Sequence, residues 1–158
     1  MKRKLSKIVW LIVFCCIVLV GSSAYADTKT ETSSEDELRA AILNFKPGSE
    51  PDGFRGIKWG QSAPTVEGLF YVATKPSFGG IDYYIREGDE LRMGGAELEL
   101  ILYGFWQDKL CSVIIKLKGY SNFSSLKDAS FEKFGPGHKT NRFMENYIWF
   151  GEISGISL

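Results

Sequence analysis

The stretch that decides the fold is Ala96-Glu97-Leu98-Glu99-Leu100-Ile101-Leu102-Tyr103-Gly104-Phe105-Trp106, followed by Gln107-Asp108-Lys109 and Leu110-Cys111-Ser112-Val113-Ile114-Ile115-Lys116-Leu117-Lys118. Ala96, Leu98, Leu100 and Leu102 alternate with Glu97 and Glu99, a period of two that places them on one face of a strand. Gln107-Asp108-Lys109 supplies a turn, and Leu110 to Leu117 supplies the returning strand of a β-hairpin. Ile101, Tyr103 and Phe105, with Val113, Ile115 and Leu117, add apolar character to the opposite face. Part of this sheet is therefore expected to be covered on both sides or to face something apolar.

Downstream, Asn122 opens a helix whose Phe123, Leu126, Phe131 and Phe134 fall near one stripe, and Gly135-Pro136 closes it. This helix is expected to cover the sheet. Tyr147-Ile148-Trp149-Phe150 and Ile153 to Leu158 read as a last strand pair around Gly151. Upstream, Ile81 to Arg86 and Glu90 to Met93 read as strands joined by Gly88-Asp89. Phe54 to Gly60 reads as a short strand. A brief helix follows it, with Ser62 as cap and Pro64 in the first turn.

The expected fold class is α+β: an antiparallel sheet of about five or six strands, covered by one main helix. It spans residues 54–158.

The preceding residues differ in kind. Lys2, Arg3, Lys4 and Lys7 stand before the apolar run Ile8 to Val20, and Gly21-Ser22-Ser23-Ala24-Tyr25-Ala26 follows it. Basic head, apolar middle and small residues at Ala24 and Ala26 form the layout of a secretory signal peptide over residues 1–26, cleaved between Ala26 and Asp27. The competing reading is an uncleaved anchor over residues 8–26, and it is weakened by length: 13 apolar residues against the ~20 that a spanning helix needs. Lipid attachment at Cys15 or Cys16 lacks small residues just before the cysteine. Residues 27–53 read as a flexible lead, a short helix over Glu35 to Asn44 capped by Ser33 or Ser34, and a linker from Lys46 to Gly53 with two prolines and two glycines.

Of 19 basic and 19 acidic residues, the leader removes four basic ones, leaving 15 against 19 and a net charge of −4. That balance argues against nucleic acid bound through its phosphates. Of three cysteines only Cys111 remains after cleavage, so no internal disulfide is expected.

The run Gly53-Phe54-Arg55-Gly56-Ile57-Lys58-Trp59-Gly60, with Phe105-x-x-x-Lys109-Leu110 on a hairpin and Phe134-Gly135 ending a helix, resembles uncharacterised small exported proteins of bacteria over most of residues 52–158. In architecture alone the chain is also similar to small periplasmic domains such as the assembly lipoprotein BamE, whose lipidated cysteine it lacks, and the β-lactamase inhibitor proteins. No functional residue carries over from either group. The resemblance implies a non-enzymatic exported domain.

Residues with catalytic or metal-binding potential are few. His138 is the single histidine, which excludes a metal site built on two imidazoles. Cys111, flanked by strand residues, reads as a structural thiol rather than a nucleophile partnered by His138. Glu97 and Glu99 read as solvated acids opposite Lys116 or Lys118, not as a glycosidase pair. The Gly79-Gly80 and Gly94-Gly95 pairs read as turns. No catalytic residue, cofactor or metal is expected.

The positive signal is aromatic. Trp59, Tyr71, Phe78, Tyr83, Tyr84, Trp106, Tyr120 and Phe143 exceed what the core stripes need, and exposed rings suit a contact surface. Trp106, Tyr83 and Tyr84 are the candidate contact residues. The expected function is binding of a macromolecular partner, such as an envelope protein, in the periplasm or outside the cell. The alternatives are a small-molecule or glycan site, for which Tyr83, Tyr84 and Trp106 would cluster round one cavity, and a membrane-anchored domain if residues 8–26 are retained.

Overall fold

A computed structural model of the chain describes residues 42–76 and 79–158. The expected leader, its cleavage site at Ala26 and Asp27, most of the expected N-terminal helix, and Phe78 lie outside the described residues. In chain order the elements are β1 (Gly53–Phe54), β2 (Ile57–Lys58), a 3-10 turn (Ala63–Thr65), β3 (Leu69–Lys75), β4 (Ile81–Arg86), β5 (Arg92–Met93), β6 (Ala96–Trp106), β7 (Lys109–Leu117), α1 (Tyr120–Phe134), β8 (His138–Lys139), β9 (Tyr147–Phe150) and β10 (Gly155–Ser157). The fold is α+β, as expected. Its main sheet is antiparallel and runs β3-β4-β6-β7, with β5 paired to the start of β6 on the same edge that β4 uses further along.

The β6–β7 hairpin forms where the alternation predicts it. Gln107 and Asp108 both have positive φ, 49° and 60°, the conformation of a two-residue turn whose twist matches that of the strands. The facing of β6 departs from the simple alternation. Leu98 pairs with Leu117 and Leu100 with Lys116, so Glu99 is an extra residue, a β-bulge. Beyond the bulge the phase is reversed. Ala96 and Leu98 point into the core, then Ile101, Tyr103 and Phe105 do, and Leu100 and Leu102 turn to the other face.

Other expectations are corrected. β4 does not pair with the strand after Gly88-Asp89; it pairs with β3 and β6, and β5 is reduced to Arg92–Met93. The helix expected after Ser62 is a single 3-10 turn, and the Ser62 hydroxyl accepts from Lys109 Nζ at 2.6 Å instead of capping it. The last strand pair forms as predicted, Phe150 opposite Gly155, but it joins β8 in a separate three-stranded sheet.

The core lies between one face of the main sheet, α1 and the small sheet. Phe123 and Leu126 of α1 belong to one buried cluster with Leu98, Ile101, Tyr103, Ile115 and Leu117. Trp149 of β9 is fully buried; its indole N–H donates to the Gly135 carbonyl at 2.8 Å, and Phe131 meets it edge-on at 5.6 Å. A Cβ on Gly137 would stand 2.7 Å from the Trp149 ring, so glycine is what lets the chain pass there.

The stretch read as a linker is bonded into the domain. The Glu50 carboxylate accepts from the backbone N–H groups of Glu152, Ile153 and Ser154 at 2.7–3.0 Å, and Trp59 Nε1 donates to the Pro51 carbonyl at 2.8 Å. Asn44 brackets β9, donating to Ile148 O and accepting from Phe150 N.

Candidate functional site

Pairs directly opposite in a ladder share a face, which sorts the main sheet into two sides. Tyr103, Phe105 and Val113 face α1 and the core. On the other side stand Phe70 opposite Ile85, Ala73 opposite Tyr83, Ile81 opposite Trp106, Leu102 opposite Ile114, and Gly104 opposite Ser112. None of the apolar side chains on this side belongs to the core cluster or packs against it. Phe70 is 53% exposed and Trp106 43%. Exposure is uneven across it: Ile114 and Ser112 on β7 are buried, and the open part of the face is formed by Phe70, Ile85 and Trp106.

The middle of the face is built around Gly104. A Cβ there would meet Ser112 Oγ, Ile81 and Tyr83. The Tyr83 ring lies over the bare glycine, and burial pushes its hydroxyl's pKa up. Cys111 is the extra residue of a second bulge beside it, with Sγ donating to Gly104 O at 3.4 Å.

Tyr84, the next residue along β4, points the opposite way. It meets Phe105 at 5.4 Å and Tyr71 at 5.8 Å, both edge-on, and its pKa is raised by burial first and by the Asp82 and Asp108 carboxylates next. Tyr83 and Trp106 therefore share the open face and Tyr84 does not. The three rings do not surround one cavity.

β3 completes this region. Among the described residues it is an edge of the main sheet, paired with β4, and six of its seven residues are exposed, including Phe70, Tyr71 and Val72. Val72 is itself a bulge between Tyr71 and Ala73.

The polar candidates are dispersed. His138 is exposed on β8, in a different sheet from Cys111. Glu99 pairs with Lys116 at 3.3 Å, as expected, and Glu97 with Arg92 at 3.9 Å. Among the described residues no group of three or more His, Cys, Asp or Glu is placed to hold a metal ion.

A second feature went unseen in the sequence. A cavity of about 320 Å³ lies between α1, the β1–β2 hairpin and the β5–β6 turn. Leu126, Ala129, Ser130, Lys133 and Phe134 present one stripe of α1 to it, at the i, i+3, i+4 spacing of a helix face. Phe54, Arg55 and Trp59 line the other side. All three come from the Gly53–Gly60 motif, whose Arg55 and Gly56 form the tight turn of the hairpin at positive φ.

No helix among the described residues is long and apolar enough to cross a membrane. Comparisons with protein-family models, with curated proteins and with solved structures return no match.

Proposed function

We propose that this is an exported, non-enzymatic binding domain that docks an extended apolar segment of a protein partner in the cell envelope. The observation that carries the reading is the open face of the main sheet, continuous with the exposed edge strand β3. An edge strand presents unpaired backbone N–H and C=O groups in a row, and an extended segment can add to it as a further strand. The neighbouring Phe70, Ile85, Tyr83 and Trp106 offer apolar contact for its alternate side chains. Export rests on the basic and apolar layout of residues 1–26.

A second copy of the chain is the less favoured occupant. A symmetric pair of β3 strands would place its two-fold axis near the middle of Leu69–Lys75, where the Val72 bulge interrupts the ladder.

The test is photo-crosslinking in the living host, with a benzophenone amino acid at Phe70 and, as control, at Glu132 on the exposed side of α1. One discrete envelope protein captured from position 70 and not from 132, and lost in an Ile85→Asp background, is the expected result. The captured chain should have an intact mass that begins at Asp27. A self-adduct from position 70 would replace the partner with a dimer, and equal capture from both positions would remove the sheet face from consideration.

A further inference from the structure

The cavity beside α1 carries chemistry that the sheet face does not use. We infer that it is a binding site for a small amphiphile with an aliphatic body and a single anionic head, of the class of a medium-chain carboxylate. Three observations converge on that class.

Size comes first. About 320 Å³ lies at the lower end of the roughly 300–1,000 Å³ of small-molecule sites. At ~30 Å³ for each water of liquid volume, it holds about ten waters, or a ligand of similar heavy-atom count.

The walls come second. Phe54, Trp59, Leu126 and Phe134 are apolar, and the polar atoms among the lining side chains are largely committed: Trp59 Nε1 to Pro51 O at 2.8 Å and Ser130 Oγ to Leu126 O at 2.7 Å. Water entering such a space finds few partners, whereas an alkyl chain loses nothing there.

Charge comes third. The two ionisable residues lining the cavity, Arg55 and Lys133, are both cations. Arg55 has Nη1 3.7 Å from Asp89 and donates Nη2 to the Arg92 carbonyl at 2.9 Å, which holds its guanidinium at the far wall. Lys133 stands exposed on the last turn of α1, its Nζ 5.1 Å from the centre of the Phe134 ring. The end of a helix ordinarily repels an anion. Here two of the final carbonyls are bonded, Phe131 O to Gly135 N–H and Phe134 O to Lys46 N–H, so a head group at Lys133 does not meet them bare. The body then lies between Phe54, Trp59 and Leu126, with its anionic end at Lys133.

The inference rests on the cavity and not on the sheet-face reading, so either can fail alone. The full chain is titrated calorimetrically with decanoate, decanol and decylamine. Decanoate should bind one to one and raise Tm, decanol should bind more weakly, and decylamine should not bind. Lys133→Glu should weaken decanoate by about tenfold or more, the effect of losing one charge-assisted contact, and leave decanol unchanged. Two substitutions that fill the cavity from opposite walls, Ser130→Leu and Met93→Trp, should abolish binding of both ligands, and either one decides if the other fails to fold. Decylamine binding as tightly as decanoate overturns the anionic head group. Neither decanoate nor decanol binding, or unchanged binding in a folded cavity-filling variant, overturns the site.

Discussion

The two faces of the main sheet are built from the same strands and are both rich in aliphatic and aromatic side chains, yet one is packed into the core and the other is exposed at Phe70, Ile85 and Trp106. On the covered face Ile101, Tyr103, Phe105, Val113 and Ile115 are buried against α1 and its neighbours. On the open face Phe70, Ile85 and Trp106 are exposed and stand outside the core cluster. The device that distributes apolar residues to both sides is one inserted residue, Glu99. Without the bulge, Ile101, Tyr103 and Phe105 would continue the phase of Glu97 and face outward. A single extra residue thus lets a strand of nearly unbroken hydrophobicity serve a core on one side and keep an apolar surface on the other.

The largest expected effect follows from that phase. Inserting one alanine between Leu102 and Tyr103 turns Tyr103 and Phe105 out of the core or demands another bulge within a few residues. Loss of two large aromatic side chains from the interior should remove more than about 4 kcal/mol of stability. Deleting Glu99 is the contrasting experiment. It leaves Leu98 inward, Leu100 outward and Ile101 inward in a regular ladder, so the protein should remain folded and lose at most about 1–2 kcal/mol, including the exposed contact with Lys116. Urea unfolding of both variants checks this; equal losses would mean the bulge does not set the phase.

A smaller effect compares the faces one side chain at a time. Leu98→Ala on the covered face should cost about 2–5 kcal/mol. Ile85→Ala on the open face, where the residue is 38% exposed, should cost less than about 1 kcal/mol. A large loss at Ile85 would show that the open face is covered in the intact chain, and the docking proposal would fall with that result.

What the sequence makes legible is what depends on neighbours along the chain. The β6–β7 hairpin, the helix ended by Gly135-Pro136 and the final strand pair all follow from local period and turn residues. β3 is missed because Leu-Phe-Tyr-Val-Ala-Thr-Lys has no alternation to read; it is an exposed edge with a bulge at its centre. The Lys46–Gly53 stretch looks like a linker because the partners of Glu50 lie more than 100 residues away, at Glu152 to Ser154. Tyr83, Tyr84 and Trp106 are abundant aromatics with no spacing signal. Strand alternation alone separates the first two onto opposite faces. The cavity joins the Gly53–Gly60 motif to α1, a pairing that no periodicity announces.

The subtlest test compares two tyrosines, Tyr103 on the covered face and Tyr83 on the open one. Tyr103 is fully buried, and its hydroxyl donates to Asp89, which in turn lies 3.7 Å from Arg55 Nη1. Burial, then the bond to the Asp89 carboxylate and its charge, hold the phenol well above its ordinary value of 10.0, against the opposing pull of Arg55 and Arg86. A raised pKa in the folded state means that stability from the neutral phenol is fully present below the unfolded value. It is lost as pH rises towards the folded one, because the unfolded chain ionises first. Tyr103→Phe should therefore cost about 1–2 kcal/mol at neutral pH, from the hydrogen bond and the partner it leaves behind. The gap between wild type and variant should stay constant up to about pH 9 and shrink above pH 10. Tyr83→Phe should retain most of the alkaline loss, since its phenol lies over Gly104 at the less enclosed face. Unfolding curves between pH 7 and 11 for the three proteins decide it. If the alkaline loss follows Tyr83 instead, the open face is the more enclosed of the two.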